Sequence, residues 1–122
     1  MARSNPKRKK RGNVYDRHSR NKWLRSPEAG FGGNGETVPC TMCGTVLTEK
    51  TVEADRILAG DSYAHWNIRP ACRPCNASRG NKPVNVEIAA LLDDPSVPYE
   101  DIQALVHAQY MERTGQFSLI AS

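Results

Sequence analysis

Aromatic side chains are scarce in this chain: two Trp, two Phe and four Tyr make up 7% of 122 residues, within a hydrophobic fraction of 39%. A small domain with so little to bury needs a staple such as a metal or disulfides. Long apolar runs are missing too. No window approaches the ~20 apolar residues that cross a bilayer, and the charged start has no apolar stretch behind it, which argues against a secretory signal. These absences point to a soluble, cytoplasmic protein without a membrane partner. In that compartment four cysteines read as metal ligands or free thiols sooner than as disulfides.

Acids are nearly absent from the first 25 residues, which hold ten of the 17 basic side chains and one of the 13 acidic ones, Asp16. The arm therefore carries +9 and the remaining 97 residues −5. Such asymmetry suggests a polyanionic partner, most simply DNA. Residues 1 to about 12 lack any periodicity and are expected to be disordered, with Lys7, Arg8, Lys9, Lys10 and Arg11 as the electrostatic footprint. The bland alternative is a solvated charge run.

Val14 to Arg25 is compatible with a basic helix of sparse apolar content. The Gly-rich stretch "SPEAGFGGNGE" then reads as a flexible joint. The expected organisation is an arm and joint over 1–36, a stapled core over 37–82 and a helical tail over 83–122. Within the core the pattern predicts a strand from Thr51 to Ile57, a second from His65 to Pro70 and a short helix from about Arg73. In the tail, Asn85 is a candidate N-cap for a helix carrying Ile88, Leu91 and Leu92. Ile102, Leu105, Val106 and Tyr110 form one stripe of a last helix, opened near Pro98 and closed by Gly115. The fold class is thus small α+β.

Cys40 and Cys43 form one Cys-x-x-Cys pair, and Cys72 and Cys75 form another, with 28 residues between the pairs. Each turn can present two thiolates to one side of a tetrahedral zinc, and two turns complete a four-cysteine zinc site with no open position for water. Such a site is structural. A redox dithiol and two disulfides are the competing readings.

Between the pairs lies "EADRILAGDSYAHWNIRPACRPCNASRGNKP", in which an acid ends one strand and an asparagine follows the last cysteine. This segment, and above all "NIRPACRPCN" followed by "SRGN", resembles the HNH endonucleases, the zinc-stapled ββα-metal type of bacterial and phage proteins. The resemblance covers about Pro39 to Lys82; "KWL" and "FGGNGETVPC" resemble the approach to the motif in small phage members. It implies that Asp55 and Asn76 hold a catalytic Mg2+ or Mn2+, and hard oxygen donors of this kind do suit a hard cation. It further implies that Asn67 orients a general base, that the product is a hydrolysed DNA phosphodiester, and that the setting is a bacterial host cell, with phage packaging proteins as further partners.

One position departs from the family pattern. The general-base histidine should follow the strand-end acid, and Arg56 stands there. Arginine stays protonated and cannot accept a proton from water, although it can fork onto a phosphate. Three outcomes stay open: His65 supplies the base from the second strand, where alternation would set it beside Asn67 and Arg69; the metal works with hydroxide from solvent; or the chain binds DNA without cutting it. Arg69, Arg73, Arg79 and Lys82 are the remaining candidate backbone contacts, and Tyr63 and Trp66 are candidate stacking platforms.

Overall fold

The computed structural model describes residues 14–115; the basic cluster Lys7 to Arg11 lies outside the described residues. Helix α1 (Val14–Leu24) leads into a 3-10 turn at Pro27–Ala29. Strands β1 (Val38–Pro39) and β2 (Val46–Leu47) form one antiparallel pair around the first cysteine turn. Strands β3 (Glu53–Arg56) and β4 (Ile68–Ala71) form a second, in the register Glu53 to Ala71 and Asp55 to Arg69. Helix α2 (Arg73–Arg79) follows β4 directly, and α3 (Val86–Asp93) and α4 (Tyr99–Arg113) complete the chain. The architecture is small α+β, with two two-stranded sheets and four α-helices among the described residues. None of these helices is long and apolar enough to cross a membrane.

Two apolar clusters hold the elements together. Leu24, Val38, Leu47, Val52, Ile68 and Ala71 bury one another where α1 meets both sheets. Leu58, Ile88, Ile102 and Val106 form the second, beneath α3 and α4. Fully burying such a side chain contributes about 1.5–3 kcal/mol. In α4, Ile102 and Val106 are four residues apart and share the inward face, the predicted stripe. Asn85 caps α3 by accepting the Ile88 N–H at 2.8 Å.

The joint over 26–36 is a set of hydrogen-bonded turns rather than an open linker. The buried Arg25 side chain donates to the carbonyls of Asn21 and Glu36, and the Gly35 N–H donates to the Arg25 carbonyl at 2.7 Å. Gly33 passes so close to that carbonyl that a Cβ would lie 2.2 Å from its oxygen, so only glycine fits there.

Both predicted strands are trimmed. The first spans Glu53–Arg56, and the second starts at Ile68 because His65–Asn67 is a 3-10 turn. The turn arises because the Asn67 N–H bonds back to the Ala64 carbonyl at 2.8 Å. His65 is therefore not on a strand face with Asn67 and Arg69. Its ring stacks on Trp23 of α1 at 3.8 Å and 8° between planes.

Candidate cysteine metal centre and adjoining groove

The first cysteine turn is built by local hydrogen bonds. The Cys40 N–H bonds to the Thr45 carbonyl, the Gly44 N–H to the Cys40 carbonyl, and Gly44 takes φ +81°, which glycine alone adopts without strain. Thr41 fastens the turn to β4 through its N–H and hydroxyl, both donating to the Pro70 carbonyl. The second pair straddles the start of α2, with Cys72 as its N-cap residue and Cys75 in its first turn.

All four sulfurs lie within 4.8 Å of one another, and none is in a disulfide. Tetrahedral zinc with Zn–S bonds of ~2.3 Å requires sulfurs about 3.8 Å apart, and Cys43 and Cys72 are 3.7 Å apart. The N–H groups of Met42 and Cys72 donate to the Cys40 sulfur at 3.4 Å each. Burial opposes ionisation of Cys40, but these donors and that of Cys43 outweigh it and bring the thiol down to about 6. The Cys75 thiol is pushed up to about 12 by its hydrogen bond with Cys72, by burial and by the neighbouring sulfurs. Sulfurs this close hinder one another's ionisation, and a divalent cation removes that conflict. The cluster fits a metal ion such as zinc.

Next to this centre β3 lies against α2, beside a groove of about 620 Å³ lined by Arg17, Arg20, Glu53, Tyr63, Arg73 and Asn76 among others. Alternation along β3 puts Glu53 and Asp55 on the face toward α2, and their surroundings differ sharply. Asp55 is 2% exposed, and Oδ1 accepts from Arg79 Nη1 at 2.7 Å while Oδ2 accepts from Arg69 Nε at 2.8 Å. Arg79 is itself buried and donates to the carbonyls of Arg56, Ile57 and Lys82. Glu53 stays partly open: Oε1 accepts from Asn76 Nδ2 at 2.9 Å, and Oε2 is 3.6 Å from the outward-lying Arg73.

Asn67 is fully buried and closes the loop after β3. Its Oδ1 accepts the Leu58 N–H at 2.7 Å, and its Nδ2 donates to the carbonyls of Leu58 and Ser62. Arg56 donates to the Asp61 carbonyl at 2.9 Å and lies over the Tyr63 ring, as does Arg20. With two guanidinium groups against its ring, Tyr63 is committed and does not offer a free face to a base. Trp66 packs against the second cluster and near His107.

The structure thus brings Asp55, Arg69 and Arg79 into one buried ion network, and Asn76 and Arg73 to the groove. His65 stands apart on Trp23, and Lys82 is exposed beyond the end of α2. Glu53 is not marked by the sequence motif, in which Asp55 is the strand-end acid. Its place two residues earlier on the same strand face was the available signal. No family model, curated protein or solved structure matches this chain.

Proposed function

We propose that the protein is a metal-dependent DNA endonuclease of the HNH type. The observation that carries this reading is the meeting of a strand carboxylate, Glu53, with Asn76 of α2 at a groove edged by arginines, in a strand–strand–helix unit closed by four cysteines. The Glu53 carboxylate and Asn76 Oδ1 are hard oxygen donors that suit Mg2+ or Mn2+, while Asp55, two residues further along the same strand face, is held by Arg69 and Arg79. The divalent ion, when bound, supplies stabilisation of the charge that develops on the phosphate and the departing 3′ oxygen.

The chain's own residues do the rest. Arg73 is solvent-facing at the groove and can neutralise a phosphate oxygen. Neither Arg56 nor His65 is placed as a general base: the first is a protonated group held on Tyr63 and the Asp61 carbonyl, and the second is stacked on Trp23. Water activation through solvent hydroxide is the route this geometry favours. Lacking a positioned base costs ~10²–10⁴-fold, so slow cleavage is expected.

The test is plasmid nicking by zinc-loaded protein with added Mg2+ or Mn2+, comparing wild type with Glu53→Gln and Asn76→Ala. The variants should lose at least about 10²-fold in rate. Absence of metal-dependent product from wild type, or undiminished cutting by Glu53→Gln, would defeat the proposal. The second reading is a zinc-stapled DNA-binding or assembly module without cleavage. It is favoured by one observation: Asp55 is almost wholly buried with an arginine on each oxygen, so a cation there would have to displace or neighbour two positive charges.

A further inference from the structure

We infer that α1 belongs to the substrate surface: Arg17 and Arg20 of α1, with Arg73 of α2, form a rail that grips successive phosphates of a DNA strand along the groove. The inference rests on DNA being the ligand of that groove and assigns the contacts to residues outside the stapled core.

Three features carry it. The charged side chains lining the groove are three arginines and one acid, Glu53, and the arginines come from two elements. Asp16, on α1 itself, is the acid that acts on Arg20. The Arg73 side chain is 86% exposed and only 3.6 Å from Glu53 at its nearest, which leaves guanidinium donors free for a phosphate. Arg20 lies 4.3 Å over the Tyr63 ring and Arg56 lies 4.7 Å over it. Arg20 Nε is buried with no hydrogen-bond partner. The Tyr63 ring therefore holds Arg20 at the groove wall without supplying a hydrogen-bond acceptor to that nitrogen.

The position of α1 is fixed independently of any ligand. Leu24 is fully buried in the first cluster, and Trp23 stacks on His65 and lies near Tyr110 of α4. The arginines are thus carried on a docked helix. By contrast, Arg69 and Arg79 are consumed by Asp55, so two of the backbone contacts expected from the sequence are structural.

The experiment measures binding of a fluorescein-labelled DNA duplex to the zinc-loaded full chain by anisotropy, over a range of salt, without Mg2+ or Mn2+. Arg17→Gln/Arg73→Gln is compared with wild type and with Lys22→Gln/Lys50→Gln, which removes the same charge from exposed positions that do not line this groove. Each lost phosphate contact should reduce the slope of log K against log salt by ~0.9, so the arginine pair should lower it by about 1.8. At 0.15 M salt that corresponds to about 10- to 30-fold weaker binding, with a change below about threefold for the lysine pair.

Equal losses for the two pairs, or no loss for the arginine pair, overturn the rail whether or not the protein cuts DNA. Adding Mg2+ or Mn2+ to the same samples separates the two proposals. Binding with the expected slopes but no cleavage supports the rail and defeats the nuclease reading. A wild type that binds no DNA defeats both.

Discussion

Replacing Asp55 with alanine should cost about 3–5 kcal/mol of folding free energy, the range for breaking a buried ion pair from one side. The side chains of Asp55 and Arg79 are 3% and 7% exposed, with 2.7 Å between their charged atoms. At an effective dielectric of ~20, unit charges ~4 Å apart attract by about 4 kcal/mol, which agrees with that range. Arg69 adds less because its side chain is 17% exposed. Urea unfolding followed by circular dichroism at fixed free zinc is the appropriate assay, since zinc bound only to the folded state sets apparent stability. With an m-value of roughly 1.5 kcal/mol/M, the midpoint should fall by about 2–3 M. Asp55→Ala/Arg79→Met should regain part of the loss, because it removes the more buried of the two arginine charges and leaves unpaired only Arg69, whose side chain is 17% exposed. A single-variant cost below about 1 kcal/mol, or a double variant no more stable than the single, would refute the clamp. The sign is diagnostic: a carboxylate reserved for a cation would stabilise the metal-free fold when neutralised, as its repulsion with Glu53 disappeared.

Metal analysis should find about one zinc per chain, and Cys43→Ser should weaken zinc retention and cause chelator-sensitive unfolding of the strand–strand–helix unit, as measured by circular dichroism; a folded chain with no zinc would contradict this. His65 titrates below its ordinary range because burial disfavours its charged form, so in the window below pH 6.5 the unfolded chain binds the extra proton first. Stability relative to a His65→Phe variant should hold above pH 6.5 and decline as pH falls from there toward the lowered folded value; urea midpoints for both proteins between pH 8 and pH 5.5 check it, and a constant difference would refute the lowered titration of the ring.

The parts legible in the sequence were those set by short-range rules. Two Cys-x-x-Cys turns were enough to predict that four sulfurs would converge, as they do. The Asn85 cap and the Ile102–Val106 stripe follow from helical spacing and recur in the structure. What stayed hidden was pairing at a distance. Arg69 and Arg79 looked like candidate DNA contacts because nothing local marks them as partners of an acid 14 and 24 residues earlier. His65 looked like a strand residue because alternation continues through it. The 3-10 turn there depends on an asparagine two residues later bonding back to Ala64. The basic composition of α1 was plain, but its docking was not, since it depends on a Trp–His stack between residues 42 positions apart.

The Asn67 carboxamide carries one further consequence. Strands β3 and β4 pair only with each other, and beyond the Ile57 N–H, which still bonds to the Asn67 carbonyl at 2.8 Å, the backbone at Leu58 has no strand beside it. Asn67 presents one acceptor and one donor to Leu58, the pair that a residue of an adjacent strand would offer, and a second donor to the Ser62 carbonyl. One side chain thereby stands in for a third strand. The turn that follows β3 can hold its shape with a sheet two strands wide, and a chain this short keeps the rest of its length for the helices that flank the groove.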